Sequence, residues 1–262
     1  MHDEDDDLIA GLELDEGEFA SGEEAKASIR KLSKPQWGPE HWAHLEKPAF
    51  SLWTPEEVRE KEQLTDRAIE AAPRFPLSQV YPFEGEGIYL LYYQGDLPIY
   101  APLVERGGLI YVGKGTRGDR KGRKDPGGFP CWGRLRDHKR SILEVEAYAR
   151  RRGVADLRVV DFECKFVVTS TGGMHDAGPK AIESYLIDKW KPLWNVVLTG
   201  FGTCGTYHKG QPLSWWDTKH QGRKKTEGHR LDPMRSSTVD DLIRMALGGD
   251  PRIFLILAGE EL

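Results

Sequence analysis

The feature of this chain that most constrains its fold is a pair of short apolar segments near its middle. Residues 87–93 have the sequence GIYLLYY, and residues 109–113 have the sequence LIYVG. Both segments are dense in β-branched and aromatic residues, which is the composition of buried strands. Several turn-forming residues lie between them at 94–108, so the two segments are predicted to pair as a long hairpin.

Helices and a further strand are predicted on both sides of this hairpin. Thr54, Pro55 and Glu57 form a helix start of the capping-box type, and that helix is expected to end before Pro73. The segments predicted downstream are a helix at 134–152, a strand at 157–169, a helix at 180–190, a late helix at 239–247 and an apolar, strand-like tail at 253–258.

This order of elements predicts both the fold class and the organisation of the chain. Strand, strand, helix, strand and helix in sequence favour an α+β domain, with a small mixed, largely antiparallel sheet flanked by helices. This core is predicted at 87–198, with an extension at each end. The acidic tail at 1–34 is predicted to be disordered, an arm and a helix occupy 35–86, and a basic loop, a helix and an apolar tail occupy 199–262.

The net charge of the whole chain is −5, which does not favour a nucleic-acid partner. The distribution of charged residues along the chain does favour one. The first 24 residues hold 11 Asp or Glu and no Lys or Arg. The rest of the chain has 37 basic against 31 acidic residues, which is a net charge of +6. A basic body with an acidic tail is compatible with nucleic-acid binding, although a run of charge is more often only a solvated surface.

Hydropathy and cysteine usage indicate the cellular compartment. No apolar run approaches the ~18 residues of a transmembrane helix, and the first residues lack the basic-then-apolar layout of a secretory signal. Cys131, Cys164 and Cys204 are widely spaced and odd in number, which argues for reduced thiols rather than a disulfide framework. A cytoplasmic protein with no membrane partner is therefore predicted.

Six residues in and after the hairpin form a candidate catalytic set. They are Tyr89, Tyr111, Arg134, His138, Glu183 and Asn195. Arg134 and His138 are four residues apart on one predicted helix, so their side chains share a face. Each residue alone has an ordinary explanation: a core tyrosine, a solvated helix face, a carboxylate that offsets a helix dipole, or an asparagine in a turn. The hypothesis of an active site therefore depends on the conjunction of all six.

The order of these residues resembles that of the GIY-YIG nucleases. Gly87-Ile88-Tyr89 matches the first motif, and Tyr111-Val112-Gly113 matches the second with Val in place of Ile. The Arg-x-x-x-His pair, the Glu and the Asn then follow in the order of the family. The resemblance is closest to the branch of type II restriction endonucleases that cut CCGCGG, and it covers about residues 87–195. One tripeptide alone is a weak signal, whereas six positions in order are a strong one.

The resemblance and the chemistry of phosphodiester hydrolysis assign roles to the polar residues. Glu183 is expected to bind Mg²⁺, with Mn²⁺ as a substitute, in a site with one protein carboxylate. Arg134 is expected to bind a phosphate oxygen through its fork of donors. His138 titrates near neutral pH and is expected to transfer a proton.

The tyrosines and the asparagine are expected to act on the attacking water and the phosphate. The resemblance implies that Tyr89 is the general base, which requires a pKa lowered by the metal or by a cation such as Arg134 or Lys114. Tyr111 is expected to orient water. Asn195 is expected to orient the phosphate or the water through hydrogen bonds.

Two basic segments are predicted to contact DNA. The first is the loop that follows the second motif, where Arg and Lys are expected to bind phosphates or to read guanine in the major groove. The second is the segment 203–225, in which aromatic residues are interleaved with basic ones. A solvated loop is the alternative for each. The candidate DNA-binding residues are Lys114, Arg117, Arg120, Lys121, Arg123, Lys209, Arg223 and Lys224.

The resemblance implies a type II restriction endonuclease with double-stranded DNA as its substrate. Such an enzyme would hydrolyse both strands of a specific GC-rich palindrome, and leave 5′-phosphate and 3′-hydroxyl ends. Two cuts related by a two-fold axis need two active sites, so a homodimer or a higher homo-oligomer is predicted. The alternatives are a homing or repair nuclease on the same module, and a catalytically silent DNA-binding protein.

Overall fold

The structure is a computed structural model that describes residues 55–116, 129–168, 178–202, 213–227, 229 and 233–253. Several sequence predictions fall outside these residues and are not addressed by it. They are the acidic tail, the arm up to residue 54, Cys204, the candidate DNA-binding residues Arg117, Arg120, Lys121, Arg123 and Lys209, and the apolar tail beyond Ile253.

Within the described part of the chain, four strands and seven α-helices form the fold. The strands are β1 (Phe75–Pro76), β2 (Gly87–Tyr93), β3 (Leu109–Gly115) and β4 (Phe162–Val168). The helices are α1 (Pro55–Ala71), α2 (Ala101–Glu105), α3 (Pro130–Arg152), α4 (Gly178–Trp190), α5 (Leu193–Val196), α6 (Trp215–Lys219) and α7 (Pro233–Gly248).

The four strands form one sheet in the order β1-β4-β2-β3, and every neighbouring pair is antiparallel. In the hairpin of β2 and β3, Tyr89 lies opposite Gly113 and Leu91 lies opposite Tyr111. The register shifts between Leu91 and Tyr92, where β3 carries an extra residue. The predicted α+β fold with a largely antiparallel sheet is confirmed.

Strand alternation sends the side chains of the hairpin to two separate cores. Tyr89, Leu91 and Tyr111 pack with residues of α3 on one face. Ile88, Leu90 and Val112 pack on the other face. The residues of α4 that meet this second face are Ile182 and Leu186. Since the central strand β2 is buried along its whole length, the sheet is covered on both sides.

Helix α3 positions half of the candidate site, and its ends follow from the sequence. Pro130 occupies the first turn, where its missing N–H costs no hydrogen bond. Gly153 ends the helix with a φ of 64°, and three arginines fill the last turn. The sequence predicted this helix from residue 134, and it begins four residues earlier.

Other boundaries differ from the predictions because tertiary contacts override local patterns. The connection at 94–108 is not a simple loop, since it contains the turn of 3-10 helix Pro98–Tyr100 and then α2. The strand predicted from residue 157 begins only at Phe162, after a second 3-10 turn at Val159–Asp161. The basic loop predicted after residue 198 contains α6, and α7 begins at Pro233 rather than at residue 239.

No helix in the described ranges has the length and apolar character needed to traverse a bilayer.

Candidate active site

The two motif tyrosines lie side by side on the face of the sheet that α3 covers. Their ring centroids are 6.3 Å apart. Gly113 of the second motif lies opposite Tyr89, and a Cβ at that position would be 2.4 Å from the Tyr89 hydroxyl oxygen. Only glycine leaves room for this phenol. The glycine of the second motif is therefore explained by the tyrosine of the first.

Helix α3 brings Arg134 and His138 against these tyrosines, and the two side chains share a helix face as the four-residue spacing predicted. The Tyr89 hydroxyl is 2.7 Å from Nε2 of His138. The His138 ring centroid is 5.1 Å from that of Tyr111, and only 3% of His138 is exposed. Arg134 is close enough to both Tyr89 and His138 for its charge to influence their pKa values. Four of the six predicted catalytic residues thus form one cluster.

Burial fixes the protonation states in this cluster. It raises the pKa of Tyr89 well above its ordinary value, with Tyr111 adding to the effect and the Arg134 charge only partly opposing it. It lowers the pKa of His138 well below its ordinary value, and the charges of Arg134 and Arg223 lower it further. Among the protein groups, the Arg134 charge alone does not lower the pKa of Tyr89 below its ordinary value, so the expected lowering would require the metal ion. The raised pKa of Tyr89 and the lowered pKa of His138 favour a hydrogen bond between a neutral phenol and a neutral imidazole.

This protonation state makes the stability of the protein depend on pH. Because the folded-state pKa of His138 lies below the unfolded value of 6.5, its neutral form stabilises the fold above pH 6.5. That contribution is lost as the pH falls from 6.5 towards the folded-state pKa, at up to about 1.4 kcal/mol per pH unit. Urea denaturation across this range should show a shallower pH dependence in His138→Gln than in the natural protein. Equal slopes would mean that His138 is not held neutral.

A short segment that the sequence did not single out closes the cluster. Residues 199–202, called the strap below, follow α5 and cross the site. The Phe201 ring stacks on His138 with centroids 4.3 Å apart. The Gly202 carbonyl accepts a hydrogen bond of 2.8 Å from Nη2 of Arg134. The available signal was a phenylalanine between two glycines shortly after Asn195.

Glu183 reaches the hairpin from the opposite side. Its carboxylate is 3.1 Å from Nζ of Lys114, and both side chains are partly exposed. Side chains alternate between the two faces of a strand, so Lys114 lies on the same face as Val112, whose side chain packs against α4. The Lys114–Glu183 pair therefore lies on the other face of β3 from the tyrosines. Lys114 was predicted as a DNA contact, and it has an ion pair with the predicted metal ligand.

The donor set of Glu183 fits a magnesium ion better than a metal that needs several protein ligands. Mg²⁺ binds through one or two carboxylates and completes its shell with water and phosphate oxygens. In the part of the chain that the structure describes, no group of three or more His, Cys, Asp or Glu side chains could hold a metal. A partly exposed single carboxylate is thus compatible with the predicted ion.

Asn195 lies at the edge strand rather than among the polar groups of the cluster. Its Oδ1 accepts from the Val112 N–H, and its Nδ2 donates to the Val112 carbonyl, both at 2.8 Å. Both polar ends of the amide are therefore bound to the backbone between Tyr111 and Gly113. These two hydrogen bonds make Asn195 a positioning residue for the second motif, and its contact with water or phosphate stays a prediction.

Replacing Asn195 by leucine is expected to destabilise the protein by about 2 kcal/mol, because two backbone groups of β3 lose their partner. Urea denaturation measures this loss. Cleavage should fall in the same variant because Tyr111 is held less firmly, and lowering the temperature should restore part of it. A variant with full stability and no activity would instead support direct contact with the substrate.

Arg223 was predicted to contact DNA, and the structure shows that this prediction is wrong. The residue is 3% exposed and its guanidinium pairs with the buried carboxylate of Asp217. A side chain enclosed in this way cannot reach a phosphate. Lys224, the next residue, is exposed and remains a candidate for DNA binding.

The antiparallel hairpin with paired tyrosines, backed by a helix that carries Arg-x-x-x-His, defines a nuclease domain of the GIY-YIG class. The model of one family in this class, described as the Eco29kI GIY-YIG domain, matches residues 81–246. This match covers more than half of the 262 residues, so the chain belongs to that family. Membership supports a restriction-type nuclease that acts on DNA. Among curated proteins, none matches this chain.

Proposed function

We propose that this protein is a type II restriction endonuclease that hydrolyses both strands of a specific GC-rich palindrome. The resemblance favours CCGCGG as the site, and the products would be 5′-phosphate and 3′-hydroxyl ends. The observation that carries the proposal is the hydrogen bond between the Tyr89 hydroxyl and Nε2 of His138, next to Arg134. The contact provides a route for proton transfer, and its place next to Arg134 on the motif hairpin distinguishes it from the buried hydrogen bond between Tyr100 and His220.

In this proposal, the two residues remove a proton from the attacking water without a free phenolate. The Tyr89 oxygen accepts the proton of the water while its own proton passes to Nε2 of His138. The imidazole becomes cationic, and the hydroxide formed attacks phosphorus. The phenol never carries a full negative charge in its buried position, so its raised pKa is compatible with the reaction.

Arg134 and Glu183 supply the remaining functions of the proposed mechanism. The Arg134 guanidinium, held by the Gly202 carbonyl, would bind a phosphate oxygen as negative charge develops on it. Glu183 would hold Mg²⁺, with Mn²⁺ as a substitute, and because Glu183 lies on the other face of β3, the phosphate would have to extend across the hairpin from Arg134 to the ion. The bound ion would supply charge stabilisation at the phosphate and at the leaving oxygen.

Cleavage of both strands of a palindrome requires two copies of this site. We therefore propose a homodimer or a higher homo-oligomer, in which a two-fold axis of the protein matches that of the DNA. Recognition of bases would come from the basic segments, including Lys224 and the basic residues at 117–123.

Plasmid digestion with and without Mg²⁺ tests this function. Discrete fragments that appear only with the metal support a site-specific endonuclease, and sequencing their ends gives the site and the end chemistry. Nicking or a smear would indicate a repair or non-specific nuclease instead. A gel shift without cleavage under any metal condition would contradict the enzymatic proposal.

A further inference from the structure

The strap that closes the cluster is held from behind by a buried ion pair. Arg223 donates to the carbonyls of Gly200 and Phe201, each at 3.1 Å. Its Nε and Nη2 atoms also donate to the two carboxylate oxygens of Asp217. The guanidinium therefore joins two successive carbonyls of the strap to one buried carboxylate.

Asp217, the anchor whose carboxylate holds the Arg223 guanidinium, is itself enclosed and hydrogen-bonded. The Asp217 side chain is fully enclosed, and its carboxylate accepts a hydrogen bond of 2.7 Å from the Ser214 hydroxyl. The Trp216 ring lies under the guanidinium, 4.4 Å from the Arg223 Cζ atom. Ser214 also caps α6, so the anchor is built into the start of a helix.

The strap carries the effect of this anchor into the cluster. Phe201 stacks on His138 and packs edge-on against Tyr111, with centroids 4.3 Å and 5.2 Å apart. The next carbonyl, that of Gly202, binds Arg134. A Cβ on Gly202 would be 2.3 Å from the Tyr111 hydroxyl oxygen, so the backbone passes close to this side chain. A small displacement of the strap would thus move three site residues together.

We propose that Arg223 is a positioning residue of the active site, which holds the strap so that Phe201 fixes the His138 ring and Gly202 fixes Arg134. The inference rests on the proposed nuclease function. It assigns a role in catalysis to the segment beyond the last motif residue. Lysine cannot replace this arginine, because a single ammonium cannot bridge two carbonyls and both oxygens of a carboxylate in one plane.

Arg223 also adds a positive charge near the proposed proton acceptor. The titratable or charged groups around the His138 imidazole are Tyr89 from β2, Tyr111 from β3, Arg134 one turn earlier on α3, and Arg223. The two arginines lower the pKa of His138 in addition to the effect of burial. Loss of the charge of residue 223 should therefore make the imidazole easier to protonate.

Two substitutions of Arg223 separate geometry from charge. Arg223→Lys loses the bridging geometry, so kcat should fall by about 10- to 100-fold, as for other small displacements of catalytic groups. Because this variant keeps the positive charge, the acid limb of its pH profile should stay in place. Arg223→Gln removes the charge, so the acid limb should also move to higher pH. KM for DNA should change less than about twofold in both variants, because a buried residue makes no phosphate contact. Arg244→Lys, an arginine in an exposed ion pair with Asp241, is the matched control and should behave as the natural protein.

Several outcomes would overturn this inference. Unchanged kcat in Arg223→Lys, or a raised KM with kcat retained, would show that the residue does not position the site. If Arg223 variants fail to fold, Phe201→Leu tests the strap directly and should lower kcat with KM retained. If the natural protein cuts no DNA, the proposed function fails. NMR chemical shifts of the His138 and Phe201 rings in Arg223→Lys still test the inference, and unchanged shifts would refute it.

Discussion

Replacing Glu183 by glutamine is expected to abolish cleavage, with a loss of about a thousandfold or more in kcat. The substitution keeps the size of the side chain and removes the one carboxylate proposed to hold Mg²⁺. A loss of about 4 kcal/mol in transition-state stabilisation corresponds to this factor. Single-turnover cleavage at saturating Mg²⁺ measures it. DNA binding should be retained, as judged by gel shift with Ca²⁺ in place of Mg²⁺.

The ion pair between Glu183 and Lys114 makes a matched control necessary, because glutamine also removes the partner of the lysine. Glu163→Gln removes a carboxylate from a pair with Arg74, and Glu163 lies opposite Tyr92, three residues along β2 from Tyr89. This control should cut DNA at the natural rate. Retained cleavage in Glu183→Gln would remove Glu183 from the metal site, whatever the stability of the variant.

Replacing Tyr89 by phenylalanine is expected to lower kcat by about 100- to 10,000-fold, the range attributed to loss of a proton-transfer group. The change removes one oxygen and with it the 2.7 Å hydrogen bond to His138. Because the ring keeps its packing against α3, KM should change little. Steady-state kinetics on an oligonucleotide that contains the cleavage site measures both constants.

Tyr93 provides the control for this substitution. It lies on the same strand and is also buried, and its hydroxyl accepts a hydrogen bond of 3.1 Å from the Leu97 N–H. Tyr93→Phe should reduce stability by about 1 kcal/mol and leave kcat unchanged. If the two phenylalanine variants cut equally well, the relay through Tyr89 would have to be abandoned.

The parts of the site that follow from local geometry could be predicted from the sequence. Alternation along two paired strands brings Tyr89 and Tyr111 to one face, and the four-residue spacing brings Arg134 and His138 to one side of a helix. Both are properties of a regular element, so they needed no knowledge of tertiary packing. The proximity of the two pairs then followed from the helix covering that face.

The remaining features depend on contacts between segments that no local pattern connects. Arg223 lies in a run of basic residues, which indicates a surface, and its burial depends on the carboxylate of Asp217. Asn195 follows a proline, which indicates a turn, and its amide is used by the backbone of Val112. The strap carries only Phe201 as an apolar residue, so hydrophobic periodicity could not reveal that it covers His138.

The amide of Asn195 has a consequence for how copies of this protein can associate. Strand β3 is an outer strand of the sheet, and such strands tend to recruit another chain through their unsatisfied peptide groups. At Val112, both of these groups are already occupied by a side chain of the same molecule. A strand of another subunit cannot form backbone hydrogen bonds with β3 at this position. A strand of a second copy could therefore not pair continuously along β3, because its bonding would be interrupted at Val112.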